Sequence, residues 1–339
     1  MTFLVLVAMA LSLFALVVEN GAAIAKCQDV YDLTYSQRQF CRVNRELLPI
    51  IEKAEASAMR ECQFLFKSNR WNCSGFGVLR SSYTKEVATA ETAFQLALMS
   101  AVLAKNIAQA CKEGSTSLCS CGRTATLPTG AGQWYFASCS ENIGFGQEVS
   151  RRFLDEAEHD RGLGLRQLSR LQDLAVGRAV LAQLAAAMGP QCRCQGLSGA
   201  CSIRTCRTMT PPLGAMGQQL LSRYGQACRV TLEPAGPHTH TLALRPACGG
   251  SIATDTLIYS DSSPNYCLPD LTRGSYGTRG RRCDRRAPPT HPESCSSLCC
   301  GRGFQLVQTT AAYHCGCRFE NFQIKCDECQ STVTLSVCR

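Results

Sequence analysis

Histidine is scarce in this chain, with five in 339 residues. A sequence so poor in imidazole has little from which to build a general base or a histidine-rich metal centre. Acid is also short, 26 Asp and Glu against 35 Lys and Arg, which leaves a formal charge of +9. Beyond residue 18 no run is long and apolar enough to cross a bilayer. Only one glycosylation sequon occurs, Asn72-Cys73-Ser74, and its middle residue is a cysteine whose bridging would work against glycan addition at Asn72. What is abundant is cysteine, 24 residues, all downstream of the N-terminal apolar segment.

That segment sets the compartment. Met1 to Val18 is almost wholly apolar, Glu19-Asn20-Gly21 interrupts it, and Ala23-Ile24-Ala25 offers a small-residue cleavage pattern before Lys26. Residues 1–25 read as a secretory signal peptide, although the usual basic start is missing. A membrane anchor is the weaker reading, because the run is at the short end for spanning. Loss of Glu19, the one charge in the leader, would bring the mature chain to +10. An extracellular chain with an even, high cysteine count is expected to hold disulfides. Zinc competes for Cys315-x-Cys317 and Cys326-x-x-Cys329, but so many Cys with so few His favour bridges and no metal. A basic secreted protein associates with polyanions such as heparan sulfate or with anionic membranes, and nucleic acid is a poor partner in that compartment.

One stretch organises the rest: Cys192-Arg193-Cys194-Gln195-Gly196-Leu197-Ser198-Gly199-Ala200-Cys201-Ser202-Ile203-Arg204-Thr205-Cys206. Its cysteines nest, so that Cys194 with Cys201 would close an inner loop and Cys192 with Cys206 an outer one. Gly196 and Gly199 permit a tight turn. Leu197 and Ser198 would then stand on a rigid tip, and a loop tip avoids exposed Leu unless something binds it. An unmodified, merely stapled turn is the plain alternative. A nucleophile elbow fits poorly, because Ala200 stands where a second Gly is needed and no His is placed as partner.

Before the hairpin the pattern is helical. Phe40, Val43, Leu47, Ile50, Ile51 and Ala54 recur at three- and four-residue spacing over Cys27 to Met59, with a kink or split expected at Pro49. Cys27 and Cys41 are placed to clamp its entry. Further helices are expected over 87–111, near 149–156 and over 166–188, with Gly-, Pro- and Thr-rich sequence between Cys119 and Cys139. After Cys206 come a short helix near 218–224 and a hairpin in which Arg229 to Leu232 faces His240, Leu242 and Leu244 across Pro234–Pro237. Cys228 and Cys248 flank that hairpin and are expected to pair. From Cys267 onward ten cysteines fall within 73 residues, too dense for an ordinary core. Arg273, Arg279, Arg281, Arg282, Arg285 and Arg286 form a basic run, read either as a solvated, mobile loop or as a glycosaminoglycan contact.

The hairpin pattern C-x-C-x-G-x-S-G-x-C-x-x-[RK]-T-C resembles that of the Wnt family of secreted signalling proteins. So do Cys62-x-x-x-Phe66 followed by Arg70-Trp71-Asn72-Cys73 (the pattern C-x-x-x-F…R-W-N-C), Glu91-Thr92-Ala93-Phe94, Cys139-Ser140-Glu141-Asn142-Ile143-Gly144-Phe145-Gly146, Leu257-Ile258-Tyr259, Ser263-Pro264-Asn265-Tyr266-Cys267 and Cys299-Cys300-Gly301-Arg302-Gly303.

 The matches span essentially the mature chain, in order.

The resemblance implies an α+β, disulfide-rich fold. An N-terminal α-helical domain, 26–250, would carry an extended lipidated thumb at 192–206 and the β-hairpin near 228–248. A cystine-rich, mostly β C-terminal domain, 251–339, would carry a second finger at 317–326. It implies the pairs Cys62–Cys73, Cys111–Cys119, Cys121–Cys139, Cys267–Cys300, Cys283–Cys295, Cys299–Cys338, Cys315–Cys329 and Cys317–Cys326. It implies a monounsaturated fatty acyl ester on Ser198, no other cofactor and no enzymatic activity. Gly196, Leu197 and Gly199 of the thumb, with Phe319, Phe322 and Ile324 of the finger, would contact the cysteine-rich domain of a Frizzled receptor. An LRP-type co-receptor, the acyltransferase Porcupine and the carrier Wntless complete the implied partners. The sequence departs from the family between Cys317 and Cys326, where a Trp and an adjacent Cys pair are missing, and at Gln195 and Arg207, where His and Trp are usual. A lipid-free, glycosaminoglycan-binding matrix protein is the reading from another class.

Overall fold

The computed structural model describes residues 32–75, 77–79, 81–124, 127, 134–162, 164–234, 242–320 and 322–339. The leader, Cys27 and His240 lie outside the described residues. The chain divides into two compact units, Met1–Leu65 with Phe76–Ser263, and Phe66–Gly75 with Pro264–Arg339. The boundary thus falls at 263/264 rather than at 250/251. The reason is a strand: Ile258–Tyr259 pairs in parallel with Cys228–Arg229, and the amides of Ser260 and Asp261 both donate to the Ala88 carbonyl at 2.9 Å.

The first unit begins with α1 (Tyr35–Val43), which starts at a capping box between Thr34 and Gln37. It ends at Asn44, and a 3-10 turn (Arg45–Leu47) leads into α2 (Leu48–Leu65). The split expected at Pro49 therefore lies at Asn44. Pro49 sits in the first turn of α2, where its missing N–H has no helical partner to lose. After the short α3 (Ser82–Glu86) comes α4 (Ala90–Glu113), capped by Thr89 and closed by Gly114 in the left-handed region.

Helix α4 is the axis of the unit, buried at eighteen of its 24 positions. A helix apolar on all sides needs neighbours on all sides. Two of them, α5 (Ile143–Ser150) and α7 (Leu165–Met188), reach it through glycine. A Cβ at Gly146 would stand 2.1 Å from the Ala104 carbonyl oxygen, and one at Gly177 would stand 1.9 Å from that of Ala97. Ser100 ties the layers, donating to Leu174 O at 2.8 Å and accepting on its carbonyl from Ser150 Oγ at 3.0 Å. Helix α5 continues through a π-helical segment (Arg151–Asp155) into α6 (Glu156–Asp160). After the thumb the chain forms α8 (Leu213–Tyr224).

Charge is buried here in pairs. Arg170 holds Glu158 with two hydrogen bonds, 2.7 and 2.9 Å, and donates from Nη1 to the Thr84 and Val87 carbonyls. Burial would raise the Glu158 pKa, but Arg170, joined by Arg161, brings it below the usual carboxylate value. Arg178 grips Asp155 in the same bidentate way, at 2.7 and 2.8 Å.

Three strands, β1 (Trp134–Ala137), β2 (Gln191–Cys194) and β3 (Ile203–Arg207), form a sheet in the order β1-β3-β2. A second sheet joins β4 (Cys228–Pro234), β5 (Leu242–Pro246) and β6 (Ile258–Tyr259) in the order β5-β4-β6. Cys228, Val230 and Ile258 form its small core, and the Cys228–Cys248 bridge closes it.

The second unit has little carbon to bury. Its central cluster is Cys283, Cys295, Cys299 and Cys338 around Leu298. Short β7 (Pro269–Asp270), β8 (Ser275–Tyr276), β9 (Arg282–Cys283) and α9 (Cys295–Leu298) precede one long hairpin, β10 (Phe304–Glu320) with β11 (Gln323–Cys338). The finger is therefore the whole of 304–338, and 317–326 is its tip. Residues 66–75 join this unit because Arg281 donates to the carbonyls of Lys67 and Arg70, both at 2.9 Å, and the Trp71 ring lies 6.4 Å from that of Tyr266. Bridges Cys267–Cys300, Cys283–Cys295 and Cys299–Cys338 hold the unit, with Cys315–Cys329 and Cys317–Cys326 along the finger.

Candidate functional site

The thumb leaves α7 at Gly189, whose φ of 61° ends the helix. Strands β2 and β3 pair in antiparallel register, with Cys192 opposite Cys206 and Cys194 opposite Arg204. The bridges are Cys192–Cys206 and, nearer the tip, Cys194–Cys201. Between the strands Gly196 N donates to Ala200 O at 2.9 Å, and Leu197–Gly199 makes a 3-10 turn inside that closure. A Cβ at Gly196 would come within 2.5 Å of the Ala200 oxygen, so this position requires glycine.

Ser198 sits at the summit with φ 54° and ψ 28°, in the left-handed region that costs a non-glycine residue about 1–2 kcal/mol. Its side chain is exposed and makes no hydrogen bond among the described residues. Leu197 beside it is 95% exposed. The turn thus holds out one hydroxyl and one apolar side chain, with the strained backbone fixed by two bridges.

The base of the thumb is anchored in the helical body. Ser138 N donates to Cys206 O at 2.8 Å and Glu141 N to Thr208 O at 3.0 Å. The buried Glu141 carboxylate accepts from both Thr210 N and Thr210 Oγ1 at 2.6 Å. Lys105, on α4, donates to Thr210 Oγ1 at 2.8 Å and to Pro211 O at 3.0 Å, and burial lowers its pKa. The bridges Cys111–Cys119 and Cys121–Cys139 brace the approach to β1.

Strand β1 is an element that the sequence reading leaves inside a stapled loop. It pairs in parallel with β3, Trp134 opposite Ile203 and Ala137 opposite Cys206. Its signal was the run Trp134-Tyr135-Phe136, three strand-favouring aromatics in succession. The anchoring set Lys105, Glu141 and Thr210 had no sequence signal, because its members are far apart in the chain.

The finger, in the other unit, gathers Phe319, Phe322 and Ile324 at its end, exposed at 70, 94 and 74%. The two rings meet edge to face at 6.4 Å, and Phe322 holds a left-handed φ of 62°. A register shift between Cys315 and Arg318 separates this tip from the ribbon below.

At the sequon, Asn72 Oδ1 accepts from Ser74 N at 3.3 Å, and Cys73 is buried and disulfide-bonded. Cys41 and Cys62 are also disulfide-bonded. The sulfurs of Cys283, Cys299 and Cys338 lie within 4.8 Å of one another, but each is already in a bridge, and metal binding needs a thiolate. The basic run is not uniformly a loose loop. Arg281 is held by carbonyls and Arg273 by Asp270, while Arg282, Arg285 and Arg286 remain exposed around a surface cavity of about 720 Å³. Among the described residues no helix is long and apolar enough to cross a membrane.

A helical body that holds out a stapled turn, with a separate unit cored by cystine, is a presentation scaffold. The comparisons place it more closely. The model of the Wnt family matches residues 29–339. Wnt-5b of Mus musculus is 29% identical over 321 residues, covering 92% of this chain and 87% of its own length. Wnt-5b of Danio rerio is 30% identical over 322 residues, covering 92% and 86%. The structure of human WLS in complex with WNT8A contains a chain that matches with a TM-score of 0.59 and 29% identity, over 86% of this chain and 94% of that one. The protein belongs to the Wnt family, and the family are signalling ligands.

Proposed function

We propose that this chain is a secreted ligand that activates Frizzled receptors through an acylated thumb and an apolar fingertip. The observation that carries the reading is Ser198: an unengaged, exposed hydroxyl on a turn fixed by Cys194–Cys201 and by the Gly196–Ala200 hydrogen bond. A fatty acyl ester placed there would occupy an apolar groove on the receptor's cysteine-rich domain. About ten buried methylenes would contribute roughly 8 kcal/mol before ordering costs. A lipid does not read sequence, so discrimination among receptors falls to Phe319, Phe322 and Ile324 at the fingertip. Porcupine would load the chain and Wntless carry it, a partnership supported by the likeness to a chain in a WLS–WNT8A complex. An LRP-type co-receptor would complete the signalling assembly. Arg282, Arg285 and Arg286 supply the charge for heparan sulfate in the extracellular matrix.

The test is the mass of the peptide spanning Cys192 to Arg204 from the non-reduced protein in conditioned medium. A mass excess of one monounsaturated acyl chain on Ser198 is expected, and Ser198→Ala should abolish receptor activation with all bridges formed. An unmodified Ser198 in an oxidised chain, or a fully active Ser198→Ala, would refute the reading and favour a lipid-free matrix protein.

A further inference from the structure

The thumb sheet has two unlike faces. Residues paired across neighbouring strands project to the same side, and alternate residues to opposite sides. One face carries Tyr135, Arg204 and the two bridges. Tyr135, Arg204, Cys192 and Cys194 are half-buried there and Cys206 is fully buried, with the Arg204 guanidinium 5.8 Å from the Tyr135 ring centroid. The other face carries Trp134, Phe136 and Ile203, exposed at 70, 52 and 41%, with Arg193 and Arg207 on the same side. This apolar patch lies at the tip end of the sheet, where Trp134 N donates to Ser202 O at 2.9 Å.

Charge on these segments has one sign. From 114 to 140 and from 174 to 232 the chain contains no Asp or Glu. The sheet built from those segments carries Arg193, Arg204 and Arg207 with no carboxylate of its own. Exposed Trp and Phe flanked by Arg match an interface that is apolar below and anionic above. A sulfated polysaccharide would satisfy the arginines but leave Trp134, Phe136 and Ile203 in water.

We propose that the outer face of the thumb sheet docks on the surface of anionic lipid bilayers, with Trp134 and Phe136 entering the interfacial layer and Arg193 and Arg207 meeting the headgroups. Aromatic rings are favoured at that depth, and each Arg near an anionic surface adds about fivefold to partitioning. The surface does not need the acyl chain. Where Ser198 is acylated it supplies the second signal that a single chain requires for stable anchoring.

The experiment uses the full chain with Ser198→Ala, mixed with phosphatidylcholine vesicles with or without phosphatidylserine. The chain has two tryptophans, and Trp71 is only 8% exposed, so a change in emission reports Trp134. Cosedimentation with the phosphatidylserine vesicles and a blue shift quenched by brominated acyl chains are expected. Trp134→Ser with Phe136→Ser on that background should weaken sedimentation about tenfold or more. Arg193→Gln with Arg207→Gln, which leaves the aromatic face intact, should remove the preference for phosphatidylserine. Failure of the Ser198→Ala chain to bind, or binding unchanged by the aromatic pair, would overturn the proposal. An emission unaltered on vesicles would also overturn it, as would retention on heparin that falls in parallel with vesicle binding in the aromatic variant. None of these outcomes depends on whether Ser198 is acylated in the native protein.

Discussion

Gly177→Ala should destabilise the helical unit although alanine is the better helix former. The added Cβ would stand 1.9 Å from Ala97 O and 2.3 Å from Ser100 Oγ, where ordinary contact begins at 3.4 Å. The shortfall is about 1.5 Å against backbone, so α7 must move away from α4 as a body. Overpacking of that kind costs typically about 1–3 kcal/mol, and the shift would also weaken the buried Ser100–Leu174 hydrogen bond, about 1 kcal/mol more. Helix propensity returns about 1 kcal/mol. The obstacle is a carbonyl that cannot rotate aside, so we expect a net loss of about 1–3 kcal/mol, toward the upper end. Gly144→Ala is the internal control, because a Cβ there meets nothing within 4 Å, and it should gain a fraction of 1 kcal/mol. Urea unfolding of the non-reduced protein, followed by far-UV circular dichroism, separates them through the midpoint at constant slope. If Gly177→Ala were neutral or stabilising, the close approach of α4 and α7 would not exist as described.

Arg170→Met leaves Glu158 buried with only Arg161 and strips donors from the Thr84 and Val87 carbonyls, so a loss of about 3–5 kcal/mol is expected in the same assay. Asp173 is fully buried, accepts from Ile258 N at 3.0 Å, and burial raises its pKa well above the ordinary carboxylate value. Its neutral form is favoured in the fold, so its contribution is full in acid and declines as pH rises toward the folded pKa. Asp173→Asn should therefore gain stability relative to wild type as pH rises above about 4, the ordinary carboxylate value, measured as a flatter midpoint-against-pH curve. Cys299→Ser with Cys338→Ser opens a closure of 39 residues, worth about 4 kcal/mol by chain entropy, and should expose 264–339 to protease while the helical signal persists.

Helices with strong periodicity were legible: α1, α2, α4 and α7 lie where apolar spacing puts them, whereas the helix expected near 149–156 begins six residues earlier as α5 and crosses that range as a π-helical segment. Even so, the break came at Asn44 because Pro49 suits a first turn. The nested cysteines and glycines of the thumb were legible for the same local reason, since a hairpin only eight to fifteen residues across is decided by near neighbours. Strand β1 was not, because each residue's partner on β3 is 69 positions away and parallel pairing leaves no turn in the sequence. The length of the finger was missed for a related cause. Its first strand is exposed from Leu306 to His314 at every position but Ala311, so no buried alternation announces it there. The left-handed backbone at Ser198 and Phe322 is likewise invisible in residue identity, since glycine would have been the expectation there.

The finger can also be read as a lever. Seventeen residues of β10 at about 3.3 Å each give a ribbon of about 55 Å. Covalent ties sit at its two ends, Cys299–Cys338 at the root and Cys315–Cys329 with Cys317–Cys326 near the tip. The stretch between is joined by ladder hydrogen bonds alone, and β9 supports only Ser336 and Val337. Bending is thus concentrated mid-stem, where about 10° carries the tip about 5 Å while the aromatic pad keeps its shape. The fingertip is a braced head on a long shaft, so a bend in the stem would carry Phe319, Phe322 and Ile324 as one piece.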